Sequence, residues 1–208
     1  LALQYQMNPH FLFNSLNWIQ LSAELGLERE QLSEAVLLLG KLLRSNLQGN
    51  AMSTLDEEVQ CAQDYVRLMN MRKQQLVRLC LELDTLPPEM SVMRFISQPL
   101  CENAIQHGME PDRPLCIRIT GRREGETACL AVENDGAMIP PDKLALLQDQ
   151  ARDAREGHGI GLANLSARLR LLYGETAVSS EPQRTRVEMS FPLRPEEPRS
   201  LAADDEKE

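Results

Sequence analysis

Apolar residues open the chain at helical spacing. Over residues 1–25 they fall at Phe11, Leu12, Leu16 and Ile19; Gly26 interrupts the pattern, and residues 30–48 resume it with Leu32, Val36, Leu39 and Leu43. Two helices joined by a tight turn make a hairpin. Phe13 and Leu16 on the first helix, and Leu38 and Leu42 on the second, widen each apolar face beyond one stripe. A lone hairpin would leave that surface wet, and pairing with a second copy into a four-helix bundle would bury it. Gly49-Asn50 ends the second helix. Ser53-Thr54 then caps a third, from Leu55 to about Gln75, whose Asp56, Glu57 and Glu58 suit the positive end of the helix dipole.

Beyond that helix the period changes. Residues 76–83 alternate like a strand, Pro87-Pro88 marks a loop, and residues 91–106 read as a helix. Alternation returns at Leu115, Ile117 and Ile119, at Leu130 and Val132, and at Val187, Met189 and Phe191, which predicts at least three more strands. A helix over 162–173 lies between the second and third of these and stops at Gly174. The expected fold class is α+β: an N-terminal helical hairpin over 1–50, then an α/β sandwich over 53–194 with a mixed sheet and its helices on one face. Residues 195–208 turn to Pro, acidic and small residues and read as an acidic, disordered tail. No internal repeat is visible.

Composition narrows the function classes. A net charge of −9 and a pI near 5.0 argue against direct binding to nucleic acid or to acidic lipid, which needs an excess of Lys and Arg. The five cysteines (Cys61, Cys80, Cys101, Cys116 and Cys129) are odd in number and lack any C-x-x-C pair, so buried free thiols in a reducing compartment are expected rather than disulfides or zinc. No apolar run is long enough to span a bilayer. The chain starts inside a helical pattern without Met, which reads as a segment of something longer.

Candidate chemistry sits in three stretches. In the first, Asn8-Pro9-His10-Phe11-Leu12-Phe13-Asn14, Pro9 lacks an amide hydrogen and makes the backbone irregular just before His10 unless it is the first helical residue after an Asn8 cap. His10, Asn14 and Asn17 share one helix face. By pattern alone that stripe reads first as solvated surface, with buried hydrogen bonding and a reactive, largely neutral imidazole as the alternatives. In the second stretch, Pro99, Asn103 and His107 recur at helical spacing, with Glu102 and Gln106 beside them. The Asn103 carboxamide oxygen suits a hard cation such as Mg2+, and the plainer reading is a helix end capped by Asn and His and stopped by Gly108. In the third, Gly157-His158-Gly159-Ile160-Gly161-Leu162 opens a helix whose exposed amides suit phosphate. The spacing is not that of a dinucleotide-binding fingerprint.

In this order the stretches resemble the LytS/YesM-type family of sensor histidine kinases. That family's pattern runs roughly Q-x-N-P-H-F-L-F/Y-N-x-L-N, then P-L-x-E-N-A-I/V-x-H-G, then G-x-G-L-x-N-x-x-x-R-L. The matching residues are Gln6 to Asn17, Pro99 to Gly108, and Gly159 to Leu169 with Asn164 and Arg168, and the likeness extends to about Leu193. It implies a dimerisation and histidine-phosphotransfer hairpin followed by a Bergerat-type (GHKL) ATP-binding sandwich. His10 would be the phosphoacceptor, Asn103 the Mg2+ ligand, and Gly157, Gly159, Gly161 and Leu162 part of the phosphate-binding loop, with His107 also at the nucleotide. Residues 140–156 would form a mobile lid over ATP, carrying Lys143, Arg152 and Arg155. Asn14 is a candidate for orienting groups in phosphotransfer or phosphatase chemistry, and Glu102 for handling a proton near the γ-phosphate.

The chain departs from the family pattern at two points, and shares with the family one difference from other histidine kinases. The adenine-binding stretch is usually D-N-G-x-G, whereas here it reads Asn134-Asp135-Gly136-Ala137-Met138. Asn134 can accept a hydrogen bond from the adenine amino group without a carboxylate's charge-assisted strength, and Asp135 serves instead if the turn shifts by one residue. Gln106 stands where many relatives have Lys, and Phe11 follows His10 where other histidine kinases place an acid. The expected function is the cytoplasmic catalytic portion of a two-component sensor, a homodimer that uses ATP and Mg2+ to phosphorylate His10 and passes the phosphoryl group to an aspartate of a response regulator of LytTR or AraC type. A membrane connection would come only through an N-terminal sensor region. The alternatives are a nucleotide-impaired dimeric scaffold or phosphatase on the same fold, and a GHKL serine/threonine kinase or ATPase.

Overall fold

The computed structural model describes residues 9–47, 50–73, 76–83, 85–111, 113–152, 162–170 and 174–193. Helices α1 (Pro9–Glu24) and α2 (Arg29–Leu47) form the expected hairpin, turned at Gly26, whose φ of +82° is left-handed and costs glycine little. Helix α3 (Leu55–Lys73) packs on both. Ala35, Leu38, Leu39 and Leu42 of α2 are buried, Glu34 pairs with Arg67 and Lys41 with Asp64, and so α2 and α3 run antiparallel. Phe11 of α1 stacks on Tyr65 of α3 with ring centroids 5.2 Å apart. Thr54 accepts the Glu57 amide and Ser53 donates to the Glu57 carboxylate, giving α3 the cap read from Ser53-Thr54.

The sheet is mixed. Strands β2 (Val77–Glu82), β4 (Leu115–Glu124), β5 (Thr127–Asn134), β6 (Glu175–Glu181) and β7 (Arg184–Pro192) lie in the order β2-β4-β5-β7-β6, parallel between β2 and β4 and antiparallel elsewhere. One face presents Leu115, Ile117 and Ile119, then Ala128, Leu130 and Val132, then Met189 and Phe191, all buried in the common core with the helices. The opposite face carries charges in register. Arg122 holds Glu188 at 2.9 Å and Glu133 takes Arg184 at 2.9 Å, and the Arg122 hydrogen bonds lower the Glu188 pKa to about 2.

The helix expected over 91–106 is instead a short strand, a turn and a shorter helix. Strand β3 (Ser91–Met93) pairs antiparallel with β1 (Met52–Thr54), and α4 begins only at Gln98 and ends at Gly108. Pro99 explains the late start: without an amide hydrogen it belongs in a first turn, where it stands. Phe95, at φ +59°, turns the chain between strand and helix. Two further differences concern the end of the chain's core and its thiols. Strand β6 lacks a clean alternating pattern and was not among the expected strands. Of the cysteines, Cys61, Cys101 and Cys129 are buried as expected, but Cys80 is exposed and Cys116 half-exposed, with their sulfurs 3.9 Å apart.

A buried acid holds the turn before α4. Glu58, from the first turn of α3, accepts the Ile96 amide at 2.9 Å, and the Phe95 and Ser97 amides also favour its charge. Burial outweighs them and raises its pKa. Arg94, itself buried, donates to the carbonyls of Asn50 and Met52 and to Ser45, and its carbonyl accepts Arg168 from helix α6 (Leu162–Arg170) at 2.5 Å. Because folding raises the Glu58 pKa, the native state binds this proton more tightly than the unfolded chain. The group's contribution is therefore complete below the ordinary value of 4.5 and declines as pH rises through the folded value. Urea unfolding should show a steeper loss of stability above pH 4.5 in wild type than in Glu58→Gln, while Glu58→Ala, which leaves buried amides unpaired, should cost about 3 kcal/mol. Equal pH slopes for wild type and Glu58→Gln would contradict this account.

Candidate active site

Helix α4 is the spine of the site. Gln98, Pro99, Leu100, Cys101, Ala104, Ile105 and Gly108 are buried, whereas Glu102 and Asn103 are half-buried and Gln106 and His107 exposed. The stripe read from Pro99, Asn103 and His107 is real, and it climbs from core to solvent. Asn103 stands at its middle, where a carboxamide oxygen can reach a ligand lying along the helix without leaving the protein. Cys61 donates to the Gln98 side chain at 3.0 Å, and burial pushes the Cys61 and Cys101 thiols up to about 12, so neither supplies a thiolate here.

The end of β5 meets the end of α4. Asn134 is buried and continues the helix-facing row of Ala128, Leu130 and Val132. Asp135 points away: its carboxylate accepts the Cys116 amide at 2.8 Å and pairs with Arg113 at 3.2 Å, and its own amide donates to the Cys116 carbonyl. Of the two candidates left open in sequence, Asn134 is on the face covered by α4 and Asp135 is occupied in joining β4 to the turn. Gly136 is required by contact. A Cβ there would lie 1.9 Å from the Gly108 carbonyl oxygen, which also accepts the Ala137 amide at 2.9 Å. At Gly108 a Cβ would lie 2.7 Å from the Asn134 side-chain nitrogen. Glycine at both positions thus lets the α4 terminus close on the β5 turn with Asn134 between them.

Residues 141–152, the first part of the segment expected as a lid, form helix α5 (Pro141–Arg152), with a Gln148 hydrogen bond to the Val178 carbonyl of β6 at 3.0 Å. The Ile139 amide donates to Ser180, which fixes the approach to it. Lys143 is exposed. Gly157, Gly159 and Gly161, with Arg155, lie outside the described residues; Leu162 opens α6. Leu165 and Leu169 anchor α6 in the core. On α1, His10 lies in the first described turn and its side chain is outside what is described; Asn14 is half-buried and Asn17 exposed.

The sequence profile of the histidine kinase-, DNA gyrase B- and HSP90-like ATPase family matches residues 91–195, the stretch that holds α4, β5 and α6, and that of the histidine kinases matches residues 1–77. The chain belongs to the histidine kinase-, gyrase B- and HSP90-like ATPase family. ATP binding is the function of that family's domain, and this member is of the histidine kinase type. The sensor histidine kinase YesM of Bacillus subtilis is 32% identical over 94% of this chain and 33% of its own length, and the sensor protein LytS of Staphylococcus haemolyticus is 35% identical over 85% of this chain and 30% of its own. The chain spans about a third of the length of these relatives. The histidine kinase domain of a blue-light activated kinase from Erythrobacter litoralis shares the fold, with a TM-score of 0.51 over 83% of this chain and 79% of that one at 20% identity.

The residues present fit a nucleotide of this histidine kinase family. Two glycines bring backbone against backbone beneath Asn134, and Asn103 offers a neutral oxygen that a cation arriving with phosphates can use. Among the described residues no group of three or more His, Cys, Asp or Glu is arranged to hold a metal by itself. Sequence reading missed Glu58 and Arg94, which position α4. An acid in the first turns of a helix looks like a dipole partner, and nothing in its spacing reveals that it reaches the turn before another helix. Gly136→Ala should cost about 3 kcal/mol in denaturant unfolding, since backbone is what the new methyl meets. Gly108→Ala should cost less and act mainly on nucleotide affinity, because the Asn134 side chain can swing away. Equal losses of stability would show that the two glycines are not so distinguished.

Proposed function

We propose that this chain is the catalytic portion of a two-component sensor histidine kinase, which phosphorylates itself on His10 and then transfers the phosphoryl group to an aspartate of a response regulator of LytTR or AraC type. The observation that carries the proposal is the coexistence, in a member of this ATPase family, of a histidine-bearing helix and a glycine-closed corner between α4 and β5. Residues 1–50 would serve dimerisation and phosphotransfer and residues 53–194 nucleotide binding. Phe13, Leu16, Val36 and Leu37, exposed on α1 and α2, support a homodimer through the hairpin. Among the described residues no helix is long and apolar enough to cross a membrane; attachment to one would come through a sensor region outside this chain.

ATP with Mg2+ would supply the γ-phosphoryl group. The Asn134 side-chain carbonyl oxygen would accept from the adenine amino group, and Gly136 would keep the β5 turn closed on the end of α4 beside it. His107 and the amides around Gly157, Gly159, Gly161 and Leu162 would face the phosphates, and the Asn103 oxygen would hold the cation. A neutral imidazole nitrogen of His10 would attack in line: a nitrogen–phosphorus bond forms, the bond to the β-phosphate oxygen breaks, and ADP leaves with the electron pair. The imidazole proton passes to solvent or to Glu102, which is half-buried beside Asn103. Asn14, one turn beyond His10, would orient the incoming aspartate or a water in the later step.

Incubation with γ-labelled ATP and Mg2+ should give an acid-labile label that Glu102→Gln slows and His10→Gln abolishes. A label of the same stability in His10→Gln would overturn the assignment. Asn134→Asp should tighten binding of an ATP analogue in calorimetry roughly 3- to 10-fold, by giving the adenine amino group a charged acceptor; weaker binding would place the adenine elsewhere.

A further inference from the structure

Arg72 belongs to no motif of the site. It sits near the end of α3, and its guanidinium carbon lies 5.9 Å from the centre of the Phe11 ring, the residue after His10. Its Nη1 donates to the Ser15 hydroxyl at 3.2 Å, and that hydroxyl in turn donates to the Phe11 carbonyl at 2.8 Å. The cation is thus held against the first described turn of α1 by a ring face and a neutral hydroxyl. Ser15 is the only hydrogen-bond partner of Arg72 among the described residues, and no carboxylate among them lies within ion-pair distance. Guanidinium has five N–H donors in a fork that matches phosphate oxygens.

Residues 10 and 14 of α1 each precede a residue that Arg72 touches, so the His10–Asn14 stripe lies about 100° around the helix from the Phe11–Ser15 stripe on which the guanidinium rests. A half-buried cation with no carboxylate partner among the described residues is a poor structural pin, since a neutral side chain could serve the same hydroxyl. It is well suited to an anion that is present only at one stage of a cycle. We infer that Arg72 is a positioning residue for the phosphoryl group on His10, receiving the phosphoryl oxygens as the group arrives and holding them for transfer. The inference rests on the proposed phosphorylation of His10 and adds to it a cation supplied from α3, outside the nucleotide corner.

The test separates the two claims. Potassium phosphoramidate phosphorylates histidine without ATP, so wild type, Arg72→Gln and Arg72→Lys can each be loaded directly and their phosphohistidine followed by 31P NMR against pH. A guanidinium beside the phosphoryl oxygens favours their fully ionised form, so the titration midpoint should be higher in Arg72→Gln by about half a unit or more, with Arg72→Lys between. In parallel, Arg72→Gln should lower kcat for labelling from ATP about 10-fold with KM for ATP unchanged. An unchanged midpoint overturns the inference, and if thermal stability alone falls, Arg72 is only a staple between α1 and α3. Wild type in which neither phosphoramidate nor ATP modifies His10 overturns the proposed function itself, and Arg72 then has no phosphoryl group to receive.

Discussion

The contact on which the rest depends is that between the buried Glu58 carboxyl and the amides of the turn before α4. A left-handed phenylalanine in that turn is conformationally unfavourable, by about 1–3 kcal/mol, and persists only where its surroundings determine it. Glu58 supplies the acceptor from one side. Arg94 joins the same turn to the segment after α2 and, through its carbonyl, to α6. One short turn therefore ties together α2, α3, α4 and α6.

From that anchorage the functional geometry follows. With its N-terminus fixed and one side buried, α4 can offer only its other side, the one carrying Glu102, Asn103, Gln106 and His107. Its far end is set by backbone contact at Gly108 and Gly136 rather than by side chains. Helix α4 is thus held by contacts at both ends. The face of the sheet away from the helices carries ion pairs instead, where Arg122, Arg184 and Arg186 share Glu133 and Glu188.

Much of this was legible in the residues. The hairpin, α3 and its cap, and strands β2, β4 and β7 show a period because each buries one face more than the other, and β5, buried on both faces, shows it only at Leu130 and Val132. Residues 91–106 misled because a strand of three residues is too short to show alternation, and apolar Val92, Met93, Phe95 and Ile96 run into the helix proper. Pro99 carried the correction, since it marks a first turn. The choice between Asn134 and Asp135 could not be made from spacing, for adjacent residues at a strand end face opposite ways and only the pairing of Asp135 with Cys116 and Arg113 decides which. The helix at 141–152 was obscured by its place in a segment that the family resemblance assigns to a lid. Glu58 and Arg72 carry no motif because each acts across a contact between elements far apart in the chain.

The central claim, that a nucleotide lies against α4 and the β5 turn, is tested most directly by hydrogen exchange with and without Mg2+ and a non-hydrolysable ATP analogue. Amides of residues 102–108 and 134–137 should exchange several-fold more slowly with the analogue, while those of α2 keep their rates. Unchanged exchange in both segments at millimolar analogue would contradict the account.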